Sequence, residues 1–271
     1  MACGAHAKLL NLETLLKEMG RVVIAFSGGV DSSFLFATAA RCLGKDAIAV
    51  TAVSSTYTRH ELEQARQLAK SIGGTYLEIS SEELDIPEFR NNPPDRCYYC
   101  KTALFAKLKE VAEREAASYI LDGSNSDDIG DFRPGRRAAR EYGVRSPLEE
   151  VGLGKEEIRL LSREAGLPTW DKPSMACLSS RFPYGHEITR EKLAMVERAE
   201  QMVREAGFAQ VRVRHHGDVA RIEVAGGEIQ RFVSSSSLPS IVQGLKRLGF
   251  AYVALDLEGY RTGSMNEVLP R

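Results

Sequence analysis

The chain has 271 residues, 43% of them hydrophobic and 27% charged, which suits two soluble domains with real cores. Its formal net charge of −1 leaves no electrostatic footprint for nucleic acid, although a local basic patch is compatible with it. No apolar run approaches a membrane span, the N-terminus lacks a signal-peptide pattern, and five cysteines are a poor disulfide framework, so a cytoplasmic protein is expected.

His6 to Met19 reads as an amphipathic helix, with Leu9, Leu10, Leu12, Leu15, Leu16 and Met19 apolar. The apolar run Val22 to Phe26 reads as a buried strand, and Phe34 to Ala40 as a helix packed on it. Between them lie Ser27, Gly28, Gly29, Val30, Asp31, Ser32 and Ser33. A strand, a glycine-rich turn and a helix start form a phosphate cradle. The glycines let the backbone approach an anion, and unpaired N–H groups at the helix start point at it. The serines add hydroxyl donors. Asp31 is suited to cap the helix or to hold magnesium through water. A tight turn with an aspartate cap is the plainer reading of the same residues. The loop lacks the Gly-Lys-Ser/Thr ending of the common triphosphate loop and the third glycine of the dinucleotide fingerprint.

Ala47 to Val53 is a second strand, and Ser54 to Tyr57 follows it at the end where ligands usually bind. A helix from about Thr58 to Ile72 stops at Gly73-Gly74, and Thr75 to Ile79 is a third strand. This β-α-β-α-β order predicts a doubly wound parallel sheet. The loop from Pro87 to Pro94 delivers Cys97 and Cys100 to the start of a helix that runs to about Ala117. That spacing puts both sulfurs on one side, and a helix N-terminus favours thiolates. A metal, an iron–sulfur cluster, a redox disulfide and two plain buried thiols all fit this pair.

Ser118 to Asp122 is a fourth strand, followed by Gly123, where the backbone can approach a ligand, and by Asp127 and Asp128. Asp127 and Asp128 suit magnesium on ATP phosphates, or are ordinary loop and cap residues. Arg133, Arg136 and Arg137 open a short helix, Arg145 to Leu148 reads as a short edge strand, and Gly154 to Gly166 as an amphipathic helix. Leu167 to Gly185 has the composition of a long ordered loop, centred on Ser174, Met175, Cys177, Ser179, Ser180 and Arg181. Hydroxyls and a guanidinium beside Cys177 favour its thiolate. A smaller α+β unit follows. Thr189 caps a helix to about Ala206, Gln210 to His215 alternates so that Arg212 and Arg214 share one face, and Gly217-Asp218 turns into the strand Ala220 to Val224. A helix from Leu238 to Leu248, a strand from Tyr252 to Asp256 and a polar tail with Arg261 complete it. Converging arginines suit a phosphorylated substrate; a solvated strand face has the same spacing.

Ser27-Gly-Gly-Val-Asp-Ser32 resembles the pyrophosphate (PP) loop of the ATP pyrophosphatase superfamily. With Asp122-Gly-Ser-Asn125, Ala176-Cys177-Leu-Ser-Ser-Arg181, Arg212-Val-Arg-His-His-Gly217 and Gly259-Tyr-Arg-Thr-Gly263, the chain resembles the LarE family over nearly its whole length. The resemblance implies a PP-loop domain over residues 1–185 and a substrate-binding or oligomerisation domain over 186–271. It also implies an ATP- and Mg2+-dependent sulfur transferase of nickel-pincer nucleotide biosynthesis. Such enzymes adenylylate a carboxylate of pyridinium-3,5-biscarboxylic acid mononucleotide and replace AMP with sulfur. Cys177 sits at the family's sulfur-handling position, and Ser180, Arg181, Arg212, Arg214 and Arg261 at its phosphate and substrate contacts. In one subgroup that cysteine gives up its own sulfur. In another, three cysteines hold a 4Fe-4S cluster, which Cys97, Cys100 and Cys177 match. Cys3 and Cys42 read as structural. A homo-oligomer, with a hexamer as one form, and hand-over to a nickel-inserting enzyme are further expectations of the family. A tRNA thiolase would need a broad basic surface, an amide-forming relative would not need the cysteines, and a non-enzymatic ATP-binding module would release no pyrophosphate.

Overall fold

The computed structural model describes residues 2–129, 134–173, 176–261 and 263–269, with side chains from residue 4 onward. Arg133, Ser174, Met175, Thr262 and the Cys3 side chain lie outside the described residues. The chain begins with α1 (Ala2–Met19), β1 (Val22–Ala25), α2 (Val30–Leu43), β2 (Ala47–Val53), α3 (Arg59–Ile72) and β3 (Thr75–Ser80). Next come α4 (Pro87–Arg90), α5 (Arg96–Arg114), β4 (Tyr119–Leu121), α6 (Gly135–Glu141), α7 (Pro147–Glu150) and α8 (Lys155–Glu164). The last elements are α9 (Arg190–Glu205), β5 (Val211–His216), β6 (Val219–Val224), α10 (Ile229–Val233), α11 (Leu238–Arg247) and β7 (Tyr252–Leu255). None of these helices is long and apolar enough to cross a membrane.

The chain forms two compact units. One comprises residues 1–83 and 95–175, the other residues 84–94 and 176–271. The expected boundary at 185 thus falls ten residues beyond the point where the chain changes unit, and α4 belongs with the second unit.

In the first unit four parallel strands lie in the order β3-β2-β1-β4. Side chains alternate across the sheet. Val22, Ile24, Ala47 and Ala49 meet α1, α2, α3 and α8, whereas Val23, Ile48 and Val50 meet Phe105, Leu108 and Val111 of α5 and Ala138 of α6. A strand covered on both faces needs an unbroken apolar run, which is what β2 has. Helices on both faces make the sheet doubly wound. The chain moves from β1 to β3 in one direction and adds β4 on the other side of β1. The loops after β1 and β4 therefore flank the switch point where such sheets bind ligands. The edge strand expected at 145–148 is a single bridge, Leu121 to Arg145, followed by the turn of α7. Pro147 explains the difference: it has no N–H to give a sheet ladder, and it is favoured in the first turn of a helix.

In the second unit β5 and β6 form an antiparallel hairpin, and β7 pairs parallel to β6. Phe208, Phe232, Ile241, Leu245 and Phe250 fill the core beneath it, with Ala199 and Val203 of α9. Asn92, fully buried, donates through Nδ2 to the carbonyls of Phe182 (3.2 Å) and Pro183 (2.7 Å). The N–H groups of Gly185 and Ile188 donate to the carbonyls of Asn92 and Arg90. Residues 84–94 are therefore built into this unit.

Candidate active site

The chain stays in the sheet up to the glycine-rich turn: Phe26 N–H donates to Val50 O (2.9 Å) and Thr51 Oγ1 donates to Phe26 O (2.9 Å). Gly28 then turns at φ +67°, and a Cβ there would stand 3.0 Å from the Ala65 Cβ of α3. Gly29 takes the N-cap position of α2 without any side-chain cap. Serines knit the turn instead. Ser27 Oγ lies 3.1 Å from Ser32 Oγ, which accepts from Ser27 N–H (3.3 Å), and Gly29 N–H donates to Ser27 Oγ (3.4 Å). Val30 is buried and anchors the helix, and Ser33 Oγ is buried with no hydrogen-bond partner among the described residues.

Asp31 does not cap α2. Its Oδ2 lies 2.5 Å from Lys155 Nζ, while its Oδ1 is buried with no hydrogen-bond partner among the described residues. The backbone N–H of the same Lys155 donates to Asp127 Oδ2 (2.7 Å). Of the carboxylates suggested for magnesium, Asp31 and Asp127 thus converge on the start of α8, whereas Asp128 Oδ2 accepts from Asn125 N–H (3.1 Å) in a capping box. The orphan oxygen of Asp31 is a hard donor of the kind Mg2+ takes, alongside waters and phosphate oxygens. Among the described residues no group of three or more His, Cys, Asp or Glu side chains is placed to hold a metal ion. A Cβ on Gly123 would meet Ser32 N at 2.9 Å, so the loop after β4 packs directly on the first turn of α2.

Behind the turn, Lys172 Nζ donates to Gly28 O (3.1 Å) and Gln64 Oε1 (3.3 Å). Arg159 of α8 holds the loop that carries it, donating to the carbonyls of Trp170 (2.7 Å) and Lys172 (2.9 Å).

In the second unit Cys177 is half-buried at the head of the 3₁₀ turn Leu178–Arg181. The Arg181 guanidinium reaches back and donates to the carbonyls of Ala176 (2.6 Å) and Cys177 (2.9 Å) and to Ser180 Oγ (3.0 Å). The same guanidinium pairs with Glu200 through two bonds, Nε to Oε1 (2.7 Å) and Nη2 to Oε2 (3.0 Å). Glu200 is fully buried on α9, where it also accepts from Arg204 Nη2 (2.7 Å) and Val213 N–H (3.1 Å). Burial pushes the Glu200 carboxyl up, but the charges of Arg181, Arg212 and Arg204 outweigh it and hold it below the usual carboxylate range.

Arg214 forms a bidentate pair with Glu223 (2.9 and 2.7 Å) and donates to Ser180 O (2.8 Å). Arg212 has no carboxylate within salt-bridge reach among the described residues. It donates to Val211 O (2.8 Å) and stacks over Tyr260 at 5.1 Å. Burial and the Arg181 charge pull its pKa below the usual arginine range. Arg261 is more open and faces Asp256, Glu258 and Glu267. Among the predicted contacts, then, Arg181 and Arg214 brace the cysteine turn, and Arg212 retains the most unspent charge.

In the first unit Cys97 is exposed and Cys100 half-buried in the first turn of α5, both outside any disulfide. Cys177, in the second unit, is likewise a free thiol, so all three carry the soft sulfur donor that an iron–sulfur cluster takes.

Lys155, Lys172, Glu200 and Glu223 were not singled out in the sequence. Glu200 had a signal, because it interrupts the apolar stripe Val196, Ala199, Val203 of its own helix. Glu223 had a weaker one, since it alternates with Ala220, Ile222 and Val224 on the face that carries the arginines. The lysines had none, because Asp31 lies 124 residues from Lys155, and Gly28 lies 144 residues from Lys172.

An asparagine synthase family model matches residues 13–129, the part of the chain that carries the glycine-rich turn. An uncharacterized protein of Synechocystis is 47% identical over 98% of this chain and 99% of its own length. The pyridinium-3,5-bisthiocarboxylic acid mononucleotide synthase of Lactiplantibacillus plantarum is 38% identical over 97% of this chain and 95% of its own. More distantly, a glutamine-hydrolyzing GMP synthase chain of Archaeoglobus fulgidus is 26% identical over 72% of this chain and 69% of its own. A relative as similar as the Lactiplantibacillus synthase along almost the whole of both chains, on a doubly wound sheet with the glycine-rich turn at its switch point, places the protein: it belongs to the LarE family and is a PP-loop enzyme, an ATP-dependent sulfurtransferase.

Proposed function

We infer that the protein makes a thiocarboxylate from pyridinium-3,5-biscarboxylic acid mononucleotide in nickel-pincer nucleotide biosynthesis. The observation that carries this reading is the cysteine turn braced by Arg181 and Arg214, on a chain 38% identical to an enzyme named for the bisthiocarboxylic product. A substrate carboxylate oxygen attacks the α-phosphorus of ATP, the bond to the β-phosphate oxygen breaks, and pyrophosphate leaves with the electron pair. The acyl adenylate then has AMP, a far better leaving group than oxide, on its carbonyl carbon. Sulfur attacks that carbon and AMP departs with the C–O electrons.

The residues divide the work. Ser27, Gly28, Gly29, Val30, Ser32, Ser33 and Gly123 form and support the cradle for the phosphates. Asp31 and Asp127 would hold magnesium, which supplies positive charge toward the phosphates when bound. Arg212, with Ser180 and Arg261, receives the substrate phosphate, while Arg181 and Arg214 fix the turn that presents Cys177. Sulfur has two sources. Cys97, Cys100 and Cys177 would hold a 4Fe-4S cluster, which supplies a nucleophilic sulfide when bound. Otherwise Cys177 attacks through its own thiolate, and β-elimination of its Cα proton and Sγ leaves dehydroalanine and the thiocarboxylate. The attack by an ionised sulfur needs no general base, and in the sacrificial route the Cα proton passes to solvent. The family's homo-oligomeric assembly and hand-over to a nickel-inserting enzyme belong to the same reading.

Anaerobic reconstitution with iron and acid-labile sulfide counting tests the sulfur source. With the cluster, wild type binds about four irons per chain, and Cys97→Ala, Cys100→Ala and Cys177→Ala each lose them. An iron-free wild type that loses about 34 Da by mass spectrometry after one turnover is sacrificial instead, since dehydroalanine is cysteine less hydrogen sulfide. Cys177→Ala should still release pyrophosphate with substrate while making no thiocarboxylate. Retained sulfur transfer would remove Cys177 from the chemistry.

A further inference from the structure

The peptide that joins Gly28 to Gly29 is the least constrained in the glycine-rich turn. With glycine on both sides, no Cβ opposes its rotation, and its carbonyl can face either way at little intrinsic cost. Which way it faces matters, because the C=O and N–H of a planar trans peptide point in opposite directions. In the structure the Gly29 N–H donates to Ser27 Oγ (3.4 Å), within the serine network, while Lys172 Nζ donates to the Gly28 carbonyl of the same peptide (3.1 Å). Flipped, the peptide would turn a carbonyl oxygen toward a bound anion in place of an N–H donor.

Lys172 is equipped to prevent that. It has no ion-pair partner among the described residues, and its ammonium rests on two neutral oxygens, those of Gly28 and of the Gln64 side chain (3.3 Å). Burial draws its pKa below the ordinary lysine range, with Glu61 pulling the other way. A partly desolvated ammonium makes a strong charge-assisted bond to a carbonyl. The lysine is itself held. Its own carbonyl and that of Trp170 accept from Arg159 of α8 (2.9 and 2.7 Å), and the Arg163 guanidinium lies over the Trp170 ring at 5.2 Å. α8 thus reaches the turn twice: Lys155 at its start pairs with Asp31, and Arg159, one helical turn on, secures the loop whose Lys172 grips Gly28.

We propose that Lys172 is a positioning residue of the phosphate turn, fixing the 28–29 peptide from behind so that its N–H stays on the anion side, with Arg159 holding the lysine in place. Lys172 touches no ligand in this role. The proposal rests on residues 27–33 being the ATP phosphate loop.

Calorimetric titration of the full chain with magnesium ATP tests it on wild type, Lys172→Met, Lys172→Ala, Arg159→Met and the double variant Lys172→Met with Arg159→Met. Misplacing the cradle predicts a rise in Kd on the order of 10–100-fold for either lysine variant. A cleft of about 460 Å³, lined in part by Gly28, Gln64, Thr169 and Lys172, gives small molecules access to the same place. Propylammonium, the part of the side chain that Lys172→Ala lacks, should therefore restore most of that variant's affinity. It should not restore Lys172→Met, whose side chain fills the space. Arg159→Met should weaken binding less and add little to Lys172→Met, because it acts through the lysine. Wild-type affinity in both lysine variants overturns the proposal. So does a failure of propylammonium to restore Lys172→Ala, or an equal restoration by neutral propanol, which would make the lysine a space filler. Losses at Arg159 and Lys172 that add in full overturn the link to α8. If wild type itself binds no magnesium ATP, the reading of residues 27–33 falls and this proposal falls with it.

Discussion

Glu200 shows how much a single residue can hold. It lies inside a helix, fully buried, and joins Arg181, Arg204 and the backbone of β5. Removing its charge leaves Arg181 buried without its counter-ion, and breaking such a pair costs about 3–5 kcal/mol. Glu200→Gln should therefore lower the urea-unfolding free energy by several kcal/mol, whereas surface changes such as Glu63→Gln should cost under about 0.5 kcal/mol. The sign with pH follows from the depressed carboxyl. Its stabilisation is complete above the ordinary glutamate range and is lost as pH falls through the lower folded value. The wild type should thus lose stability on acidification along a limb that Glu200→Gln lacks. An identical acid limb in the variant would mean that Glu200 is not held ionised by its arginines.

At the scale of elements, the glycine-rich turn works because other elements crowd it. α3 meets Gly28, the loop after β4 meets the first turn of α2, and α8 delivers Lys155 to Asp31. Gly123→Ala places a methyl 2.9 Å from the backbone nitrogen of Ser32, which no rotamer change relieves. The first turn of α2 must shift, and misplacing a catalytic cradle by a fraction of an ångström costs on the order of 10–100-fold. Pyrophosphate release should fall by that factor while far-ultraviolet circular dichroism stays native; full activity would show that the contact does not set the loop. These elements were legible to very different degrees. The helix expected from about Thr58 to Ile72 is there, opened by a capping box of Thr58 and Glu61, and the alternation at Arg212 and Arg214 reports a shared face correctly. Periodicity describes an element's own faces, however, and not its partners. It left the solvated reading of that face open, where the structure buries both arginines and pairs Arg214 with Glu223. For the same reason it was silent on Lys172 and Gly28, and it read Pro147 into a strand where proline instead opens a helix.

For the whole molecule, the decisive fact is that the chain changes unit three times. Length and composition suggested two domains, and the family resemblance placed them in series with one boundary at 185. The structure has the second unit built from 176–271 together with 84–94. That short segment is not a passive linker. Phe89 is buried, and Asn92, in the left-handed region at φ 54°, satisfies the carbonyls of Phe182 and Pro183 from a fully buried side chain. A fragment comprising 176–271 alone would lack the buried Phe89 and leave the carbonyls of Phe182 and Pro183 without the Asn92 amide. Filling that gap with a large aromatic is worth about 3–5 kcal/mol, a substantial part of the stability of so small a unit. The fragment should therefore melt broadly and at lower temperature than a fusion that carries 84–94 ahead of 176 through a flexible linker, and the fusion should restore a single cooperative transition. The comparison needs only thermal circular dichroism and amide dispersion by nuclear magnetic resonance. If the bare fragment folds as sharply as the fusion, the segment is a bystander and the serial division stands. If the fusion alone folds, the second unit is discontinuous in the chain, entered and left at crossings near 84, 95 and 176.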